Sequence, residues 1–319
     1  MAVYTDVGFN DLDTLLAEFD IGTPRSFKGI AEGVENSNFV LRTDRGIFIL
    51  TLFEKRVSAR DLPFFLGLLQ HLADRGVRCP VPVKNREGAE WTIVNGRAAA
   101  ILTWLDGLSL QHPNATHCAA AGEALAQLHR AGADFPLARA NSLGVAGWTK
   151  LAEATLSRAD TVHPGMSELI VSSLAELRQA WPQGLRRGIV HADLFPDNVL
   201  FVDARVSGLI DFYFACNDAC AYDLAIMLNA WCFESDGSYS VSNGRSLVAG
   251  YCKTRPLDDA EMSALPVLAA GAALRFLLTR LQDWLEPAPT ALVRPKDPLE
   301  FAQRLRFHRG VENLAGYGL

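Results

Sequence analysis

One segment constrains the fold of this chain more than any other, namely GIVHADLFPDNVLFVDARVSGLIDFYFA, residues 188–215. Apolar runs typical of strands stand at 189–190, 199–201 and 209–210, and a histidine and several aspartates lie between them. Acidic residues are poor strand formers and costly to bury, so these are either turn and capping groups or residues that carry chemistry. Asp203, in the run VDARVSG, fits a turn.

Strand patterns dominate the chain up to about residue 104. The run FVLRTDRGIFILTLF predicts a hairpin with strands at 38–42 and 47–53. The run AEWTIVNGRAAAILTWL predicts a second hairpin that turns at Asn95 and Gly96, a strong turn signal. One helix is predicted between the hairpins, over 58–75, because its leucines and phenylalanines recur at helical spacing.

Helical spacing dominates after residue 105, where 189–214 is the only strand pair that we predict. The sequence therefore predicts an α+β protein of two lobes, a small β-rich N-terminal lobe over 1–104 and a larger, mainly helical lobe over 105–319. Helices are expected near 115–131, 146–181, 219–233, 243–253, 258–285 and 298–310.

Charge and composition exclude several classes of protein. The 30 lysines and arginines against 36 aspartates and glutamates leave a net charge of −6, so a nucleic-acid partner is not expected. The N-terminus lacks a basic start followed by an apolar run, which argues against a signal peptide. The most apolar late stretch, 265–278, is too short to span a bilayer and contains Pro266 and Arg275. The six cysteines form no C-x-x-C pair, so we expect reduced thiols in a cytoplasmic protein without a membrane partner.

The polar residues of the central segment have the spacing of a phosphoryl-transfer site. The run HADLFPDN separates Asp193 from Asn198 by four residues, and Asp211 ends the next strand. This pattern resembles the catalytic loop and metal element of protein kinases, H-R-D-L-x-x-x-N and D-F-G, and implies a protein-kinase-like fold. Phosphoryl transfer needs a carboxylate that accepts the proton of the attacking hydroxyl, and oxygen ligands for Mg²⁺. We expect Asp193 to be the base, Asn198 and Asp211 the metal ligands, and His191 the brace of the loop.

The details of the motif are closer to small-molecule kinases than to protein kinases. The form H-x-D-x-x-P-x-N-V-L followed by I-D-F resembles the aminoglycoside phosphotransferase and choline kinase group, and no segment ending in A-P-E follows Asp211. The run ACAYDLAIMLNAWC resembles the Y-D-L-A helix of that group. The resemblance implies that Asp223 accepts hydrogen bonds from the loop backbone; a charge favoured at a helix N-terminus is the alternative.

The nucleotide-binding residues are expected in the first lobe. The run GIAEGVENSNFVL precedes the first hairpin strand, and Gly33 and Ser37 permit close approach of the backbone to phosphate, although an ordinary turn has the same composition. The usual phosphate-binding lysine aligns with Thr51, so either Lys55, on the same strand face, or another cation takes that role. As in the family, adenine is expected at the lobe junction, against the backbone of Thr103 to Leu105.

Runs along the whole chain, including GVENSNFVL, FILTLFEK and IDFYFACNDACAYDLAI, resemble bacterial homoserine kinases of the phosphotransferase fold. That resemblance implies ATP-dependent phosphorylation of the side-chain hydroxyl of L-homoserine, a step toward threonine. It also implies acceptor contacts near Asn217, Asp218 and Arg275, where surface polarity is the alternative explanation. The oligomeric state stays open.

Two other functions remain open at this point. The aromatic residues near the motif keep a choline, ethanolamine or aminoglycoside kinase possible, since aromatic faces bind quaternary ammonium. A nucleotide-binding module with weak catalysis is favoured only by the missing lysine. The aromatic residues concerned are Phe212, Tyr213, Phe214, Tyr222 and Trp231.

Overall fold

The structure, a computed structural model, describes residues 5, 7–30, 36–54, 57–287 and 295–319. The described residues form two compact units, one ending at Asp106 and the other beginning at Gly107. The main sheet lies in the first unit and most helices lie in the second, so the predicted α+β class is confirmed.

The first unit is built on an antiparallel sheet of the strands β1 (Pro24–Gly29), β2 (Ser37–Thr43), β3 (Ile47–Leu52), β4 (Thr92–Val94) and β5 (Arg97–Thr103). Their order is β1-β2-β3-β5-β4. Both predicted hairpins are confirmed, because β2 pairs with β3 and β4 pairs with β5. Asn95 and Gly96 have φ of 50° and 73°, the left-handed pair that an Asn-Gly hairpin turn adopts at little cost.

Two helices pack in the first unit, α1 (Phe9–Ala17) and α2 (Leu62–Asp74). The predicted helix over 58–75 is confirmed, although residues 59–61 form a 3₁₀ turn before it. Its repeating apolar side chains are buried because they share one face of the helix. In the core of this unit, Leu12 and Leu15 of α1 cluster with alternate residues of β2 and β3.

The second unit contains α3 (Ala115–Ala131), α4 (Val145–Val162), α5 (Met166–Ala180), α6 (Cys220–Trp231), α7 (Val241–Thr254), α8 (Asp259–Leu285) and α9 (Leu299–Arg309). The predicted helices match these bounds closely, with one correction. The long helix expected over 146–181 is two helices, because Pro164 and Gly165, with φ of 80°, break it.

The apolar stretch around 265–278 belongs to α8, which has 27 residues. This helix is long and apolar enough to cross a membrane by length and composition, which corrects the expectation that the stretch is too short. However, 72% of its most apolar window is buried within the protein, where it packs against α4, α6 and α9. It is the central core helix of this unit.

Four short strands also lie in the second unit, β6 (Arg187–Val190), β7 (Val199–Val202), β8 (Arg205–Leu209) and β9 (Cys216–Ala219). They form two antiparallel pairs, β6 with β9 and β7 with β8, so the prediction of one strand pair was incomplete. The predicted turn at Asp203 is confirmed, with φ of 56° between β7 and β8. Strand β9 was missed because its sequence, CNDA, contains two poor strand formers.

Candidate active site

The loop of residues 191–198 joins β6 to β7 and is anchored by one buried carboxylate. Asp223, in the first turn of α6, is fully buried and accepts hydrogen bonds from the backbone N–H of His191 at 2.6 Å and of Ala192 at 2.9 Å. Its Oδ2 atom also lies 3.1 Å from Nε2 of His129. One carboxylate on a helix therefore holds two successive amides of the loop.

His129 and Asp223 form a buried ion pair. Burial alone would lower the pKa of His129, but Tyr251, Cys220 and Asp223 together raise it well above its usual value. Burial alone would raise the pKa of Asp223, but the hydrogen bond and charge of His129 hold it below its usual range. The carboxylate that anchors the loop is therefore ionised and compensated by a cation.

The His191 side chain braces the loop from within. Its Nε2 atom lies 2.9 Å from the carbonyl oxygen of Ile210, and its Nδ1 atom lies 3.3 Å from the backbone nitrogen of Asp193. Burial lowers the pKa of His191, so the ring is neutral. A neutral ring can donate from Nε2 and accept at Nδ1, which ties the start of the loop to the end of β8.

Arg275 of α8 supports the same loop. Its side chain is 1% exposed, donates from Nη1 to the carbonyl oxygen of Ala192, and lies over the ring of Phe276 at 4.4 Å. Ala192 has φ of 64°, a left-handed conformation that costs a non-glycine residue free energy. The hydrogen bonds from Arg275 and to Asp223 hold this backbone in place.

Three of the residues that the sequence singled out lie around one point. Asn198 donates from Nδ2 to the carbonyl oxygen of Asp193 at 2.8 Å and lies 3.4 Å from its Oδ2 atom. The backbone of Asn198 accepts a hydrogen bond from Ile210, the residue before Asp211. Asp211 itself is left-handed, with φ of 65°. Because Nδ2 of Asn198 faces Asp193, its amide oxygen is the atom able to ligate a cation.

Burial, and to a smaller extent the carboxylate of Asp211, disfavours the charged form of Asp193. Burial raises the pKa of Asp193 to about 8; Arg275 opposes this shift, and the carboxylate of Asp211 adds to it. A cation held by Asn198 and Asp211 would offset the contribution of Asp211 to this shift. In this respect the electrostatics favour a bound cation.

The donor set fits Mg²⁺ with phosphate rather than a metal held by protein alone. Among the described residues, no group of three or more His, Cys, Asp or Glu side chains could hold a metal ion. Asn198 and Asp211 provide one amide oxygen and one carboxylate. Mg²⁺ is commonly bound by one or two protein oxygens together with substrate phosphates and water.

Asn217 and Asp218, expected near the acceptor, make structural contacts in β9. The Oδ1 atom of Asn217 accepts a hydrogen bond from the backbone of Arg139 at 2.7 Å. Asp218 accepts one from Asn141 at 2.7 Å and forms an ion pair of 3.2 Å with Arg187. These contacts bind β9 to the loop before α4, and neither residue contacts the loop of residues 191–198 through them.

Of the nucleotide residues expected in the first unit, Gly33 and Lys55 lie outside the described residues. Ser37 is fully buried, and its hydroxyl donates to Glu54 at 2.8 Å. The backbone N–H of Thr103 donates to the carbonyl oxygen of Val81, and the backbone N–H of Val81 donates to the hydroxyl oxygen of Thr103. Leu105 is half-buried and follows the end of β5.

Three of the five aromatic residues near the motif are part of the core. Phe212, Tyr222 and Trp231 are each at most 2% exposed, and the indole N–H of Trp231 donates to the carbonyl oxygen of Leu194 at 2.8 Å. Rings buried in this way cannot form an open cage around a quaternary ammonium group. Trp231 instead supports the loop that carries Asp193, and Tyr213 and Phe214 are half-buried.

A polar cavity that the sequence did not reveal lies beside the same loop, with a volume of about 500 Å³. Pro196, three residues after Asp193, forms part of its wall. The sequence did not identify the arginines of α9 as candidate site residues, because charged side chains on a helix usually face solvent. The cavity is lined by His112 and by the charged residues Glu234, Asp236, Asp297, Glu300 and Arg304.

This chain is similar to known proteins in both sequence and fold. A family model described as the phosphotransferase enzyme family matches residues 26–257. A homoserine kinase of Xanthobacter autotrophicus is 59% identical over 319 residues, which cover 100% of this chain and 99% of that protein. A homoserine kinase of Afipia carboxidovorans is also 59% identical, with 100% and 98% covered. A solved amicoumacin kinase in complex with AMP-PNP and Ca²⁺ superposes with a TM-score of 0.70 at 16% identity, covering 95% of this chain and 92% of that one.

Proposed function

This chain belongs to the homoserine kinases of the phosphotransferase enzyme family, and we propose that it transfers the γ-phosphoryl group of ATP to the side-chain hydroxyl of L-homoserine. The fold is protein-kinase-like. The observation that carries the proposal is identity of 59% to a homoserine kinase along the entire chain. The arrangement of Asp193, Asn198 and Asp211 supports it independently.

Asp193 is the proposed base. It accepts the proton of the acceptor hydroxyl as the oxygen attacks the γ-phosphorus and the bond to the β-phosphate oxygen breaks. The products are O-phospho-L-homoserine and ADP. Asn198 and Asp211 are the proposed ligands of Mg²⁺, which when bound neutralises charge on the phosphates. With its charge compensated by Mg²⁺, Asp211 would no longer oppose ionisation of Asp193.

The surrounding residues position the base without contact to substrate. Asp223 and His191 fix the backbone on either side of Ala192, and Arg275 holds its carbonyl oxygen. We therefore assign Arg275 to the support of the loop in place of the acceptor contact expected from the sequence. This assignment follows from its burial, since a guanidinium that is 1% exposed meets protein rather than a diffusing substrate.

For ATP we propose contacts to the backbone around Thr103 and Leu105. Ser37 is a weaker candidate for a phosphate contact, because its hydroxyl is already used by Glu54. Gly33 and Lys55 stay predictions for the phosphate loop and the phosphate-binding cation.

The test is side-by-side kinetics of the purified protein with ATP and Mg²⁺ on L-homoserine, L-serine, choline and an aminoglycoside, with the phosphorylated oxygen assigned by NMR. We expect kcat/KM for choline and the aminoglycoside to be at least about 10²-fold below that for homoserine, because polar groups built for an amino acid are left unpaired. Serine should also react poorly, because its hydroxyl is one methylene short of Asp193 once the amino-acid end is anchored. Faster turnover of choline than of homoserine would contradict the proposal.

A further inference from the structure

Two guanidinium groups share one carboxylate at the start of α9. Glu300 forms ion pairs with Arg280 of α8 and with Arg304, one turn further along its own helix. The side chains of both arginines are only 11% exposed. Two positive charges against one negative charge leave the group with an excess positive charge in a partly buried setting.

The pKa values of Glu300 and Arg304 are consistent with an excess of positive charge in this cluster. Burial would raise the pKa of Glu300, but Arg280 and Arg304 together hold it below its usual range. Burial lowers the pKa of Arg304 to about 10; Glu300 opposes this shift and Arg280 adds to it. Arg304 remains charged at neutral pH, yet its charge is only partly compensated.

The guanidinium of Arg304 is also fixed in orientation. It lies over the rings of Phe301 at 4.6 Å and of Phe233 at 5.2 Å. Arg280 lies over Phe301 at 4.4 Å and donates to the carbonyl oxygen of Asp297. A guanidinium held in this way offers its remaining N–H groups as a rigid fork, the geometry that suits a carboxylate.

Arg304 and Glu300 face the 500 Å³ cavity beside the loop of residues 191–198. The opposite charge lines another part of the wall, where Glu234 and Asp236 lie in the turn between α6 and α7. Asp236 accepts two hydrogen bonds from Ser238, whereas the carboxylate of Glu234 has no hydrogen bond or ion pair within the described part of the chain. Asp297 also lines the cavity, so among the described residues Arg304 is the one arginine or lysine in a wall that otherwise carries carboxylates.

From this arrangement, and resting on the proposed function, we propose that Arg304 binds the α-carboxylate of the acceptor and is the residue that selects an amino acid over an amino alcohol. The carboxylate of Glu234, on another part of the cavity wall, attracts the ammonium group of the acceptor. Glu300 orients Arg304 and, with Arg280, sets the charge of the site. An acceptor without a carboxylate leaves the fork of Arg304 unpaired, and unpaired buried groups are what sites use to reject analogues.

The experiment compares L-homoserine with 3-aminopropan-1-ol, which has hydrogen in place of the carboxylate. In the wild-type protein we expect kcat/KM to favour homoserine by at least about 10²-fold. Arg304→Met retains the packing on Phe233 and Phe301 but removes the charge. This variant should lower kcat/KM for homoserine by about 10²-fold, mainly through KM. It should leave kcat/KM for 3-aminopropan-1-ol and the KM for ATP nearly unchanged.

Two further variants separate recognition from damage to the fold. Arg309→Met is the matched control, because Arg309 lies on the same helix, pairs with Glu176 and does not line the cavity. We expect it to retain the preference for homoserine. Glu300→Gln keeps both guanidinium groups but removes the anion that orients Arg304, so the preference for homoserine should fall, by less than in Arg304→Met.

An unchanged preference in folded Arg304→Met would overturn the inference. If that variant does not fold, Arg304→Lys decides the question, because it keeps the charge without the fork and should lose about tenfold of the preference. A lysine variant with the full wild-type preference would overturn it equally. A wild-type protein that phosphorylates neither acceptor would refute the proposed function itself, whereas one active on homoserine without any preference would refute only the role of Arg304.

Discussion

Replacement of Asp223 by asparagine is the sharpest test of how the loop is held. The carboxylate accepts from the backbone of His191 and Ala192 and from the ring of His129. An asparagine can present its single oxygen to Ala192, but its NH₂ group then faces the N–H of His191. The backbone N–H of His191 then faces another donor, and the imidazolium of His129 loses its anionic partner.

The expected cost follows from these contacts. One charge-assisted hydrogen bond is lost, a second is weakened, and a buried cation loses its partner; removal of one member of a buried pair costs about 3–5 kcal/mol. We therefore expect Asp223→Asn to lower the free energy of unfolding by that amount. Turnover should fall by about 10²-fold, since a small displacement of Asp193 is enough to do so, although Asp223 does not touch substrate.

Two measurements check this prediction. Urea unfolding reports the stability, and hydrogen–deuterium exchange of the peptide around 188–194 reports whether the amides of His191 and Ala192 lose protection. Asp160→Asn serves as a control, because Asp160 also accepts two hydrogen bonds, from Ser167, but at the surface; its change should stay within about 0.5 kcal/mol. A cost below about 1 kcal/mol for Asp223→Asn with unaltered exchange would refute the anchoring role.

Three further predictions concern chemistry, metal and pH. Asp193→Asn should lower kcat by at least about 10²-fold with little change in ATP affinity, and activity within a few-fold of wild type in steady-state kinetics would mean that the base is another group. Asp211→Ala and Asn198→Ala should raise the Mg²⁺ concentration needed for half-maximal rate, Asp211→Ala more strongly because a full charge is lost; equal, unshifted Mg²⁺ titrations would contradict this. Burial and the nearby Arg304 lower the pKa of His308 to about 3, below the unfolded value of about 6.5. Because the unfolded chain takes up this proton first, stability should fall by up to about 1.4 kcal/mol per pH unit as pH drops from about 6.5 toward 3, and His308→Gln should reduce that slope in urea unfolding followed across pH.

Local patterns in the sequence were sufficient for most secondary structure. The Asn95 and Gly96 turn follows from backbone sterics within two residues, and the helix over 115–131 follows from apolar spacing along one face. Strand β9 was missed because its pairing with β6, from Arg187–Ala219 to Val190–Cys216, overrides poor local propensity.

The sequence by itself predicted the chemistry of the loop, because the spacing of Asp193 and Asn198 is local and only the partner Asp211 lies after the next hairpin. The tertiary structure decided everything that depends on contacts between distant segments. It buried Arg275 under the loop, assigned Asn217 and Asp218 to strand contacts, and brought Arg280 and Arg304 to one carboxylate beside a cavity. The physical reason is that a charged side chain has no preferred partner in the sequence; its role is set by burial and by the neighbours that packing supplies.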